Sequence, residues 1–222
     1  MNFQAGSVQF GRLLLLELVI AAALFLPAGR LDLPWFWAVL ALHAIFMLAG
    51  LVMIDPDLLK ERTKPGPGGR DRNLRSWLSL LFLAQFIIAG LDAGRYGWSR
   101  TMPQVVQATA LALYILGMVI CIWAMAVNRF FSPVLRIQDE RGHHLVTVGP
   151  YRYVRHLGYL GILLSASAGV ALGSWWSLVP LVPVAILILR RTTLEDRLLR
   201  KNLEGYANYS EQVRYRLVPG VW

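Results

Sequence analysis

The sequence predicts an all-α polytopic membrane protein with about six transmembrane crossings. Three observations lead there. Hydrophobic residues make up 56% of the 222 positions and charged residues only 16%, where a soluble domain carries nearer a quarter charged. The apolar residues gather into runs that approach the roughly 20 needed to cross a hydrocarbon core of about 30 Å. The basic residues gather between alternate runs. Such hydrophobicity excludes disorder, and the length suits a single domain, residues 1–222. One cysteine, Cys121, excludes an internal disulfide and a cysteine-rich zinc site.

The first run, residues 13–26, is apolar apart from Glu17. No basic n-region precedes it and no small-residue cleavage site closes it, so it reads as a retained helix rather than a secretory signal. Residues 34–54 form the second span, with Trp35 and Trp37 at the level of an aromatic belt. Residues 76–91 and 104–127 give the third and fourth. Residues 158–172 and 175–190 give the fifth and sixth, separated only by Gly173 and Ser174, which predicts an antiparallel helical hairpin. Gly158, Gly161, Ser165, Ser167, Gly169 and Gly173 line its first arm, where small residues permit close helix approach.

Charge then sets the orientation. Six crossings put both termini on one side, and nineteen of the 22 Lys and Arg fall in segments on that side; Arg30, Arg95 and Arg100 fall on the other. By the positive-inside rule the termini and the long loops are cytoplasmic. The net charge of +9 therefore needs no nucleic-acid partner; anionic membrane lipid suffices.

Residues 55–62 read as a short interfacial helix, capped by Asp55, with Pro56 in the first turn and Leu58 and Leu59 toward lipid. Residues 63–73 read as a flexible loop. Their glycines lack the preceding strand and the G-K-[ST] of a phosphate loop. Residues 129–157 are too polar to span and too aromatic for a linker, and structureless loops of that length are usually functional. They hold Gln138, His143, His144, Tyr151, Tyr153, His156 and five arginines. The tail continues the sixth helix, with Arg191, Glu195 and Leu199 on one face, a possible end at Gly205, and then Tyr206, Tyr209, Tyr215 and Trp222. Glu17, His43 and Gln85 inside the spans are either functional groups or interhelical hydrogen bonders.

The chain has no Ser-His-Asp set with an elbow motif, no HExxH and no G-x-G-x-x-G after a strand. His143 and His156 lack a carboxylate or cysteine at ligand spacing, so no metal is expected. What remains is arginine, histidine, tyrosine and backbone N–H donors with one helical carboxylate, Glu195. That set suits a zwitterionic or anionic ligand with an aromatic ring. It equally suits an Arg/Tyr interfacial belt, and residue types alone leave both open.

The stretch V-T-V-G-P-Y-R-Y-V-R-H-L-G-Y-L-G (146–161), a hairpin, R-x-x-x-E (191–195), L-x-x-x-L-x-x-Y-x-x-Y (199–209) and V-R-Y-R-L-V-P-G-V-W (213–222) together resemble the isoprenylcysteine carboxyl methyltransferase family. These are integral membrane enzymes that use S-adenosylmethionine. The resemblance covers residues 128–222, so 1–127 are read as N-terminal spans and 128–222 as the cofactor-binding core. Leu157 stands where the family usually has proline. The resemblance implies that His143, His144, Leu145 and Val146 wrap the cofactor, with Gln138 just upstream. It implies further cofactor contacts from Tyr151, His156, Leu157, Gly158, Tyr159 and Glu195, and an acceptor-facing role for Arg191.

The implied function is methyl transfer to a lipophilic acceptor, an isoprenylcysteine-type carboxylate or thiol, at the cytoplasmic membrane face. Such an acceptor needs no strong base, which agrees with the lack of an obvious one. Alternatives are a phospholipid amine methyltransferase, an NADPH-dependent sterol-type reductase, which the R-H-x-x-Y-x-G and Y-R-L-V-P patterns also resemble, and a non-enzymatic membrane scaffold.

Overall fold

The computed structural model describes residues 3–100 and 102–222, with side chains from Phe10 onward. The described chain is helical: α1 (Phe3–Ala28), α2 (Pro34–Met53), α3 (Pro56–Thr63), α4 (Leu74–Ala89), α5 (Gln104–Val127), α6 (Leu157–Ser165), α7 (Ala168–Ala171), α8 (Leu181–Asn202) and α9 (Tyr206–Gln212). Among the described residues, five helices are long and apolar enough to cross a membrane: Phe10–Ala28, Pro34–Met53, Leu74–Tyr96, Gln104–Val127 and Trp176–Asn202. Their outer faces carry many exposed large apolar side chains, among them Leu15, Leu26, Val52, Val105 and Ile186. Water would not tolerate that surface, and lipid does.

The expected fifth span is two short helices and not one long one. α6 and α7 meet at Ala166–Ser167, where the Ser167 hydroxyl donates to Leu164 O (2.7 Å) and to Ala110 O on α5 (2.8 Å). A serine hydroxyl that bonds backbone competes with the helical ladder. Gln85 on α4 donates its amide to the Ala166 carbonyl, and Gln107 donates to Ala171 O at 3.2 Å. Gln85 is thus an interhelical hydrogen bonder. So is the pair Glu17–His43, 2.6 Å apart between α1 and α2.

The broken arm lies against α5 along its length. The Cys121 thiol faces Gly158 O at 3.3 Å near one end, and Gln107 meets Ala171 near the other. Between them the backbones touch. A Cβ on Gly117 would lie 2.5 Å from Ser165 N, and one on Gly161 would lie 2.7 Å from Gly117 O. The small residues of this arm therefore face a helix, as their spacing suggested.

One end of the bundle collects residues 29–33, 90–100, 102–103 and 172–176. There a π-helical segment, Gly90–Tyr96, carries the buried Asp92, which accepts from Ser99 N (2.7 Å) and Ser174 Oγ (2.6 Å). The opposite end collects α3, the loops 64–73 and 128–156, and the tail from 203 onward.

Two sequence expectations fail at that end. Leu58 is fully buried in protein and does not face lipid. The loop 63–73 is not a free linker: Arg70 and Leu135 exchange two backbone hydrogen bonds of 3.0 Å. The Asp55 cap is as expected, accepting from Asp57 N at 2.8 Å. Gly205 (φ +76°) initiates α9 after α8 has already ended at Asn202.

Candidate active site

A small cleft opens at the end that collects the basic loops. Asn128 and Phe131 reach it from the end of α5, and His143, His144, Leu145 and Val146 from an extended segment. Tyr151 comes from a 3-10 turn, Arg155 and His156 from just before α6, and Glu195 and Leu199 from one face of α8. Leu203, Tyr206 and Tyr209 complete the wall.

The extended segment is aimed by its approach. A single 3-10 turn, Asp139–Arg141, ends at Gly142 (φ +63°), a left-handed position that glycine takes without steric cost. Below it Gln138, 1% exposed, donates its amide to Phe130 O at 2.8 Å and accepts from Arg141. Among the described residues, the N–H groups of 144–148 donate to no protein acceptor. They are available to a ligand.

His143 stacks on Phe130, with ring centroids 4.6 Å apart. Its Nδ1 accepts from Gln138 N at 3.3 Å, which leaves the proton of the neutral ring on Nε2. Burial pushes its pKa down to about 4, since a desolvated imidazole resists charge. Burial also raises Tyr151 and Tyr206, Asp196 adding to the latter, and pushes Tyr209 up to about 12. All three phenols are therefore held as O–H donors. Tyr209 donates to Tyr151 O at 2.6 Å.

Behind the cleft lies a buried charged layer. Arg191, 2% exposed, donates from Nε to Tyr159 Oη and to Glu195 Oε2, both at 3.0 Å. Tyr159 in turn donates to Glu195. The Nη2 of Arg191 reaches Ser132 O at 3.5 Å. Its Nη1 is buried with no partner among the described residues, an uncommon and costly condition for a charged donor. Glu195, one turn along α8, opens into the cleft.

Seven of the twelve expected site residues line the cleft: His143, His144, Leu145, Val146, Tyr151, His156 and Glu195. Gln138, Leu157, Gly158, Tyr159 and Arg191 stand outside its lining. Gln138 braces the loop. Gly158 admits Phe131, whose ring would lie 2.7 Å from a Cβ there.

Asp196 was not foreseen. It is 1% exposed and accepts from Arg155 Nε (2.9 Å), Tyr206 Oη (2.9 Å) and Arg216 Nε (3.2 Å), with His156 Nε2 at 3.4 Å. Alongside it, Arg155 N and His156 N donate to Tyr215 O and Arg216 O at 3.0 and 2.8 Å. Asp196 thus ties the tail to the approach of α6. The sequence signal was an adjacent Glu195–Asp196 pair beside an arginine-rich loop, of which only the first member was noticed.

Two comparisons bear on this geometry. The chain is 33% identical to the Delta(14)-sterol reductase erg24 of Schizosaccharomyces pombe over 43% of its own length and 25% of that protein's. It thus spans about a quarter of that relative. A family model for methyltransferases matches residues 110–201, from within α5, through the extended segment and the broken arm, to the last turn of α8. That stretch contains the Arg191–Tyr159–Glu195 layer and all but three of the residues that line the cleft. The model is that of the isoprenylcysteine carboxyl methyltransferase (ICMT) family, to which this part of the chain is similar.

Proposed function

We propose that this integral membrane methyltransferase uses S-adenosylmethionine to methylate a lipophilic acceptor, an isoprenylcysteine-type carboxylate. The observation that carries the reading is the buried Arg191, whose Nη1 is unmatched directly behind a cleft floored by Glu195.

The cleft's donor set suits the cofactor. Glu195 offers a carboxylate to an ammonium or to ribose hydroxyls, the N–H groups of 144–148 offer an anion or adenine nitrogens their donors, and Tyr206, Tyr209 and Leu145 offer flat and apolar walls. His143, His144, Leu145, Val146, Tyr151, His156 and Glu195 would hold it. When bound, the cofactor would supply a methyl group already activated on a sulfonium, for transfer to an acceptor oxygen with the C–S bonding pair retained by sulfur.

The protein's own share is position and dryness. Arg191 presents Nη1 to an acceptor anion while Glu195 and Tyr159 fix its plane. No base is needed, because a carboxylate already carries the electron pair that forms the new bond.

Six traversals with both termini and the cleft cytoplasmic form part of the same reading. It is supported by the gathering of the basic loops at the cleft end and by the reach of α6–α7 from that end to Ser174.

Titration of the detergent-solubilised protein tests it. S-adenosylmethionine should raise the melting temperature by mass action on the folded state, and methyl transfer to a prenylcysteine should follow. Stabilisation by NADPH alone would instead favour a reductase like the sterol relative.

A further inference from the structure

A second groove runs along the outer side of α8, and none of its residues lines the cleft. Leu189, Arg190, Thr193, Leu194, Arg197 and Trp222 form it. The sequence explains its composition. Residues 181–189 of α8 are all apolar, and Arg190 is the first charge after them. Arg190 therefore marks the level where hydrocarbon ends and headgroups begin. Arg197, seven residues on, returns to the same side of the helix about 10 Å farther along its axis.

α8 divides its charges by side. Arg191 and Asp196 are buried and turn inward, whereas Arg190 and Arg197 are exposed. Arg190 has one carboxylate neighbour, Asp71, at 3.6 Å, and an ion pair so long and so exposed contributes little. Among the described residues, no carboxylate comes within 4.0 Å of Arg197. Two guanidinium groups at headgroup level are thus open to an anion.

The rest of the groove is apolar and fixed. Trp222 packs on the cluster of Tyr159, Val184, Ile188 and Leu217. Its backbone oxygen accepts from Arg216 N and Leu217 N, both at 3.0 Å, and the Arg216 guanidinium lies 5.1 Å from its ring. An indole is favoured at this depth, where one edge stays wet and the other dry. Toward the start of α8 the same side continues as exposed Val182, Ile186 and Leu189, at helical spacing. A soluble anion would cover the arginines and leave this stripe bare. A phospholipid covers both, with its phosphate at the arginines and an acyl chain along the stripe. A zwitterionic headgroup brings its own cation beside both guanidinium groups, so an anionic one is the better fit.

We propose that this groove binds an anionic phospholipid of the leaflet on the cleft's side, with Arg190 and Arg197 holding the headgroup and Trp222 walling it. The site stands apart from the cleft and does not depend on the methyltransferase reading.

The test uses the full chain in neutral detergent, stripped of lipid. It is titrated with phosphatidylglycerol and with phosphatidylcholine of the same acyl chains; native mass spectrometry counts bound lipid and a melting curve follows stability. The wild type should bind phosphatidylglycerol in preference, by about fivefold for each arginine engaged, and phosphatidylglycerol should raise the melting temperature more. Arg190→Gln combined with Arg197→Gln should lose the preference. Arg200→Gln combined with Lys201→Gln removes the same charge from exposed positions outside the groove and should keep it. Thr193→Trp fills the groove, leaves both arginines in place, and should weaken binding of both lipids. Equal loss in the two double variants would reduce the effect to general surface charge and overturn the proposal. So would a wild type without the preference, a groove double variant that keeps it, or a Thr193→Trp chain that binds lipid as the wild type does. Loss of N-acetyl-S-farnesylcysteine binding in Thr193→Trp, with phosphatidylglycerol binding unchanged, would assign the groove to the acceptor and overturn it as well.

Discussion

His143 is held neutral by its own pocket, and this has a consequence for stability. Its folded pKa, about 4, lies below the ordinary 6.5 of a histidine. Between those values the unfolded chain binds a proton and the folded chain does not, so stability falls as pH drops from 6.5 and the full cost is present below about 4. His143→Gln should flatten that part of a melting-temperature profile; an unchanged slope between pH 4 and 6.5 would contradict the assignment. Glu195 and Arg191 divide by role. Glu195→Gln should weaken S-adenosylmethionine binding by roughly ten- to a hundredfold, the cost of one charge-assisted hydrogen bond, as read by isothermal titration. Arg191→Lys should leave that affinity alone and lower turnover, since an ammonium cannot keep the planar fork. Were the two merely a helical i,i+4 pair, worth about 0.5 kcal/mol or less, both variants would bind and turn over normally.

At the level of elements, the α5–α6 contact and the Asp196 tie hold the cleft in shape. A side chain at Gly117 meets backbone, which cannot swing aside. Gly117→Val should therefore part the two helices, at a cost of at least about 1–3 kcal/mol, seen as a lower Tm in detergent. Asp196→Asn would leave buried Arg155 short of its countercharge, a loss of about 3–5 kcal/mol for breaking a buried pair. Limited proteolysis should then cut within 203–216, where the wild type resists. The sequence made α5 legible to the residue, because 24 uncharged positions lie between a proline and a polar loop. The broken arm was not legible: residues 158–172 are uncharged throughout, and the interruption at Ala166–Ser167 is made by partners on α4 and α5, distant in sequence. Leu58 was misread for a related reason. An apolar residue of an interfacial helix has two apolar neighbours to choose from, and here it chose protein over lipid.

For the whole molecule, one end is basic and holds the cleft, and the other is closed by the Asp92–Ser174 contacts. With Cys121 replaced by alanine, a cysteine at exposed Lys64 should react with a membrane-impermeant reagent only from the cytoplasmic side, and one at exposed Trp176 only from the opposite side. Reaction of both from one side would overturn the orientation. Ser174 itself is fully buried and would report poorly. The charge distribution predicted the gathering of loops. The extended segment, Tyr151, His156 and Glu195 were readable from the family pattern. Asp196 was not, because only the fold gathers Arg155, His156, Tyr206 and Arg216 around it.

The tie between residues 155–156 and 215–216 also orders events during synthesis. Nine of the fourteen residues that line the cleft, from Asn128 to His156, leave the ribosome well before Glu195, Leu199, Leu203, Tyr206 and Tyr209, and the strap that seals it comes later still. A nascent chain halted before residue 206 would already contain all five long apolar helices and yet lack the wall that closes on a ligand. On the reading proposed above, affinity for a cofactor would be acquired only once these wall residues are in place.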